Sequence, residues 1–212
     1  MRRLLLALVL VALAGFVAVP RLGDGDDVVL QAPAGTDPAV VVTAVTARLA
    51  DAGLVEVDVA RRGRRIELTR VHGSSRDLVL ALRAAYRLHV RPVEGECETA
   101  ERPDRTDPAA PVDLPVRPPA TPSCLRLGAA VAGNEAIRRT QASGTDVVIR
   151  FGDLPLGTSA EWAVEVDGEV LTSPRVASTD EGFELVVDGR TRQGALALAA
   201  GLVHPLPAHL RD

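Results

Sequence analysis

Between Asp26 and Val93 the hydrophobic period switches from two residues to three-to-four and back, and this order limits the chain to few folds. "DDVVLQA" reads as a short strand. Asp37-Pro38 opens a helix, with Asp as cap and Pro at the first helical position. Val41, Val42, Val45 and Leu49 form its apolar stripe, and Gly53 ends it. "LVEVDVA" alternates, with Val55, Val57 and Val59 facing in. "RRGRR", Arg61 to Arg65, is a tight basic turn around Gly63, and "IELTRV" alternates again. "SSRD" offers a helix cap, with Asp77 three residues after Ser74. Leu78, Ala81, Leu82 and Ala85 make a second helical stripe. "YRLHVRPV" alternates a third time, with Leu88 and Val90 opposite Arg87, His89 and Arg91. The order β-α-β-β-α-β over residues 25–92 predicts a ferredoxin-like unit, a four-stranded antiparallel sheet covered by two helices on one face.

Residues 93–123 break that pattern. Proline is dense and apolar periodicity is absent, which predicts an exposed, extended insert. Periodicity returns in 124–210. "TDVVIRF", "EWAVEV" and "FELVV" read as strands and "TRQGALALAAGL" as a helix, giving a second small α+β unit. Within it, Asp167-Gly168 between Val166 and Glu169 is a two-residue hairpin signal, since a type I′ corner needs positive φ at both central positions. The fold class is therefore α+β.

The N-terminus, "MRRLLLALVLVALAGFVAVPRLGDGDD", places two arginines before an apolar run from Leu4 to Val19. Residues 1–22 read as a membrane helix that serves as a signal-anchor, or as a cleaved signal peptide. At about 1.5 Å per residue the run spans roughly 24 Å, against about 30 Å for a bilayer core, while Ala12-Leu13-Ala14 fits a cleavage site. Both alternatives put the rest of the chain on the extracytoplasmic side, because the positive flank stays inside. In that compartment Cys97 and Cys124 are expected to form a disulfide. The loop is proline-rich, and the bridge would hold the two folded units in register.

Few residues suggest chemistry. The net charge of −4 excludes a dedicated nucleic-acid binder. No cofactor is indicated. "DGDD" at 24–27 lacks the calcium-loop pattern, and His72, His89, His204 and His209 have no metal-ligand spacing. With no recognisable nucleophile context, the chain is expected not to be an enzyme. The candidate contact residues are Arg61, Arg62, Arg64 and Arg65 on the basic turn, for anionic lipid or polypeptide, and Asp167 and Gly168 at the hairpin tip.

"WAVEVDGEVLTSPRV" followed by "FELVVDGRTRQGALALAAGLVHPLPAHL" resembles SecD, the accessory subunit of the bacterial protein-export channel. The matching positions are Val166 to Leu171, Ser173 to Val176, Phe183 to Val187, Ala195 to Leu202 and Gly201 to Pro207. Upstream, Arg48, Leu49, Gly53, Gly63, Arg65 and Ile66 match a helix exit and the following turn, and "SCLRLGAAV" resembles the start of the family's head subdomain. The resemblance implies that residues 25–92 are the base and 124–210 the head of the first periplasmic domain of SecD. It implies exported polypeptides and translocon components as partners. SecD continues into five more membrane spans; this chain is expected to have no proton pathway of its own. Between Phe151 and Glu161 it has "GDLPLGTSA" where the family has a helix. A structural protein that kept the fold without export work, and a secreted ligand-binding domain, are the alternatives.

Overall fold

The computed structural model describes residues 26–100, 106–118, 122–152, 154, 161–171, 175–179 and 182–211; the predicted N-terminal membrane helix lies outside them. No helix among the described residues is long and apolar enough to cross a membrane.

Strand β1 (Asp26–Gln31) leads into helix α1 (Pro38–Asp51). Asp37 caps α1 by accepting a hydrogen bond from Ala39 N at 2.9 Å. Val41, Val45 and Leu49 are buried along the expected stripe. Gly53 takes φ 79° past the helix end, a left-handed conformation that costs glycine little. Strands β2 (Asp58–Arg62) and β3 (Arg65–Val71) pair as a hairpin around Gly63. The reading of a strand from Leu54 is corrected: β2 starts at Asp58, because residues 54–57 form a turn in which Val57 N donates to Leu54 O. Val55 is consequently 81% exposed, whereas Val57 is buried. Helix α2 (Gly73–Ala81) begins one residue before Ser74, with His72 as its N-cap and no side-chain cap, so the expected capping by Ser74 is not its start.

The four-stranded sheet expected for residues 25–92 is not what forms. Among the described residues the first sheet has three strands, in the order β1-β3-β2. Strand β4 (Leu88–Glu96) instead pairs antiparallel with β10 (Trp162–Val166), β6 (Cys124–Leu127) and β7 (Ala132–Gly133) in a second sheet. The reason lies in burial. Leu88, Val90 and Arg91 are all 0% exposed, so both faces of β4 need cover, and a sheet with helices on one side supplies only one. At the outer side of β1 the end of the chain appears instead, through an antiparallel bridge between Gln31 and Arg211.

The second sheet runs β11 (Glu169–Leu171), β10, β4, β6, β5 (Val112–Pro115). A parallel bridge from Val116 to Val170, with Arg117 N donating to Val170 O at 2.9 Å, brings its outer strands together, so the sheet curls into a small barrel-like ring. Leu114, Leu127, Ala163 and Val170 fill part of the interior. The proline-rich insert is thus not an exposed excursion throughout: Leu114 is 0% exposed and residues 112–115 form a strand. Pro115 is tolerated in β5 because the hydrogen-bonded pair beside it is Val116 with Ser123, Val116 N donating to Ser123 O, so no N–H is needed from Pro115 toward β6.

Cys97 and Cys124 are disulfide-bonded, with Cα atoms 5.2 Å apart. The bridge joins the end of β4 to the start of β6, neighbours in one sheet, rather than two separate units. It closes a loop with a sequence separation of 27. Loop-closure entropy assigns it about 3–4 kcal/mol. The Cys97→Ser/Cys124→Ser variant should therefore lose about that much unfolding free energy in urea titrations, and a loss under about 1 kcal/mol would contradict the assignment.

A third sheet, ordered β12 (Arg175–Thr179), β13 (Gly182–Asp188), β9 (Asp146–Phe151), β8 (Ile137–Ser143), packs on helix α3 (Arg192–Val203). Thr191 caps α3, its hydroxyl oxygen accepting from Gly194 N at 2.9 Å. Half of the helix is glycine or alanine, and it serves two cores. Ala195, Leu198 and Leu202 pack with β4, β9 and β10, while Ala197 and Ala200 pack with α1 and α2. Small residues let it lie close to both. At Gly201 an added Cβ would sit 2.0 Å from the Tyr86 ring. Gly201→Ala should cost on the order of 1–3 kcal/mol in thermal or urea unfolding, despite alanine's better helix propensity.

Candidate functional site

The two units meet around Arg48 on α1, which is 0% exposed. Its guanidinium has five N–H donors and gives all of them to backbone carbonyls. Nε donates to His204 O at 2.7 Å, Nη1 to Leu82 O at 2.5 Å and Ala84 O at 2.6 Å, and Nη2 to Ala85 O at 3.0 Å and Gly201 O at 3.3 Å. These carbonyls lie at or beyond the C-terminal ends of α2 and α3, where helices leave carbonyls without intrahelical partners and carry partial negative charge. The guanidinium also lies 5.3 Å from the centroid of the Tyr86 ring. Burial lowers the Arg48 pKa to about 10, partly offset by Tyr86 and Asp167, so it stays charged at neutral pH. Burial likewise pushes the Tyr86 hydroxyl up to about 12.

The hairpin tip is tied to the same place. Asp167 (φ 50°) and Gly168 (φ 79°) form the expected corner between Val166 and Glu169. Asp167 does more than turn the chain. Its two carboxylate oxygens accept from Tyr86 N at 2.8 Å and Arg87 N at 2.9 Å, and its own N–H donates to Arg87 O. Tyr86 sits at φ 56°, a left-handed conformation unfavourable for an aromatic residue, and this carboxylate helps hold it there. Asn134 closes the junction, accepting from Leu88 N and donating to Tyr86 O and Leu202 O.

Inside the barrel, Arg91 and Glu165 form a buried ion pair, Nε to Oε2 at 2.6 Å, with side chains 0% and 1% exposed. The other Arg91 donors reach Ala110 O, Gly128 O and Asp107 O, each at 2.9 Å, so the proline-rich insert wraps this guanidinium. Thr106 donates to Glu165 Oε1, and His89 Nδ1 lies 3.3 Å from both Glu165 Oε2 and Thr106 Oγ1. Burial pushes the Glu165 carboxyl up, but the hydrogen bonds from His89 and Thr106 and the charge of Arg91 outweigh it and hold the pKa below its usual value. The cluster is not a hydrolase triad: hydroxyl and carboxylate approach the same ring nitrogen, whereas a proton relay uses both. A cavity of about 80 Å³ beside it is bounded by Arg87, His89, Thr106, Pro108, Asp167 and Gly168.

A shallow groove of about 830 Å³ opens at the junction. The start of α1 and the loop before it line it through Asp37 and Val40, together with Asn134 and Glu135, with Arg87, and with Val203 and Pro205 to Pro207 after α3. Val40 and Val203 are 58% and 43% exposed, unusual for valines that share one concave surface. Helical spacing predicts Val203 on the core side of its helix with Leu196, Ala199 and Ala200, and the structure corrects this: it opens onto the groove instead. Val40 is legible in the sequence, because three consecutive valines at 40–42, at 100° per residue, cannot all face the core.

The basic turn stands apart from this groove. Arg61, Arg62, Arg64 and Arg65 are all exposed; Arg62 pairs with Glu67 at 2.9 Å and Arg64 donates to Ala32 O at 2.6 Å. Register places the turn beside Gln31, while Asp26 pairs with Val71 at the other end of the sheet. The arginines therefore lie roughly 17 Å along β1 from the point where the N-terminal segment joins it.

No protein-family model matches the chain. No curated protein matches it. Solved structures do. The chain is similar to the crystal structure of SecDF in its super-membrane-facing form, with a TM-score of 0.62 and 19% identity over 87% of this chain and 29% of that one. It is also similar to a structure of SecDF described as a membrane component that enhances protein export, with a TM-score of 0.57 and 19% identity over 87% of this chain and 96% of that one. The chain thus spans less than a third of the first SecDF structure. The chain thus has a SecD-like fold, the fold that the hairpin and helix motifs of its sequence resemble.

Proposed function

We propose that this chain is a non-enzymatic, extracytoplasmic module that holds exported, extended polypeptides beside the translocon, tethered to the membrane by its N-terminal apolar segment. One observation carries the reading: the open groove with exposed Val40 and Val203, in a fold shared with a protein that enhances export. An unfolded chain offers alternating apolar side chains and free backbone groups. A shallow apolar groove bounded by Asp37, Arg87 and Glu135 binds such a segment without demanding a sequence. Retention there limits backsliding, and energy comes from elsewhere.

Photo-crosslinking tests this. A photoreactive residue at Val40 or Val203 should capture a secretory precursor stalled in translocation, and one at the exposed Glu56 should not. Val203→Asp should reduce capture about tenfold with an unchanged Tm, because the side chain is already half in water. Equal capture at all three positions, or none, would remove the reading.

A further inference from the structure

Two arginines of the interior put their guanidinium donors to use within the fold. Arg48 gives all five to backbone carbonyls, and Arg91 gives its donors to Glu165 and to three carbonyls. Arg87 differs. Its backbone is fixed, with N donating to Asp167 Oδ1 and O accepting from Asp167 N. Its guanidinium makes no hydrogen bond or ion pair with the described residues, and Nε is shut away from solvent without a partner. A buried donor left unpaired opposes folding and is rare in native proteins. The side chain is also placed for an acceptor from outside. Among the described residues, Arg87 alone lines both the 80 Å³ cavity at Asp167 and the groove at Val40 and Val203. It is the one cation among the described residues that line that groove. The other polar groups beside it are engaged: Asp37 and Glu135 accept from Ala39 N and Gly133 N, and Asn134 bonds to three backbone groups.

We propose that Arg87 donates to a main-chain carbonyl of the polypeptide lying in this groove, so that the site reads backbone rather than side chains. This rests on the function proposed above for the groove. Charge decides between the two kinds of acceptor that a polypeptide offers. Asp37 and Glu135 line the groove and Asp167 the cavity, so three carboxylates lie around one guanidinium. An acidic side chain would meet like charge from all three, whereas a neutral carbonyl meets only the donor. The same pairing is the habit of this chain, since Arg48 and Arg91 also donate to main-chain carbonyls. Every residue of an extended segment carries such a carbonyl, so the bond holds chains of any sequence.

The test uses the full chain in detergent micelles and a neutral probe, the acetylated, amidated peptide TVSVTVS. Crosslinking from a photoreactive residue at Val203 locates the probe, and titration calorimetry measures its affinity. Arg87→Met should weaken binding about tenfold with Tm unchanged or raised, because its side chain leaves no hydrogen bond behind. Arg87→Lys should recover part of the affinity. A probe whose three central carbonyls are thiocarbonyls, which are poor acceptors, should bind the parent protein several-fold more weakly and Arg87→Met no more weakly than the plain probe does. Unchanged binding in Arg87→Met would mean that water alone completes this guanidinium and would overturn the proposal. So would a probe with glutamate for its central valine that binds the parent tighter than the neutral probe, an advantage lost in Arg87→Met. Both results leave the groove itself intact as a polypeptide site. A probe that never crosslinks at Val203 would remove that function, and this proposal with it.

Discussion

Arg48→Met should lower the unfolding free energy by about 3–5 kcal/mol, a large fraction of what a chain of this size has to lose. Methionine fills most of the space, so the loss reports hydrogen bonding more than a cavity. Five buried or half-buried carbonyls, those of Leu82, Ala84, Ala85, Gly201 and His204, would lose this donor, although Ala85 O keeps Leu206 N. Each unsatisfied group costs about 1–3 kcal/mol, and relaxation keeps the sum below full additivity. Arg48→Lys should recover only part of the loss. An ammonium has three donors, and they do not spread across two helix ends as a guanidinium plane does. Urea unfolding with a common m-value measures both variants. A loss below about 1 kcal/mol for Arg48→Met would show that water or backbone movement replaces the guanidinium.

Glu165→Met should be comparably damaging, by about 3–5 kcal/mol, because it leaves Arg91 buried without its countercharge. The double variant Arg91→Met/Glu165→Met should recover most of this loss, since a buried pair replaced by apolar residues of similar volume is often neutral. The coupling energy from the cycle is the deciding quantity. A pH series supplies a second check. The folded-state pKa of Glu165 lies below its usual value of 4.5, so the unfolded chain binds the proton more readily. The stability it contributes is present above about pH 4.5 and is lost as pH falls through the lower folded value. Between pH 7 and pH 3, the Tm of the parent protein should fall further than that of Glu165→Gln. Parallel curves would argue against an ionised Glu165.

Some of this was legible in the sequence because it is local. Asp37-Pro38 and Thr191 mark helix starts by capping chemistry that needs only neighbouring residues. The corner at Asp167-Gly168 follows from the φ demands of a two-residue turn. The pairing of Cys97 with Cys124 followed from compartment and count. The SecD-like motifs pointed to the same fold as the structural likeness. The candidate site was much less legible. Arg91 and Glu165 alternate with apolar neighbours, the pattern that solvent-facing residues also show. The alternation was right, since Leu88 and Val90 do oppose them, but that face lines the inside of a ring. Nothing at Arg91 indicates that a glutamate 74 residues away will meet it.

What the sequence determined by itself is the set of elements and the apolar side of most of them, because dihedral preferences, caps and periodicity act within a few residues. What only the tertiary structure decided is which surfaces meet. It moved β4 out of the first sheet, placed an arginine of α1 among the ends of two other helices, and opened a groove between Val40 and Val203. The physical reason is that periodicity records that a face is covered, not what covers it. For β4 the cover depends on strand pairings and a buried charge pair formed across 74 residues of chain, and their strength appears only once the ring has closed.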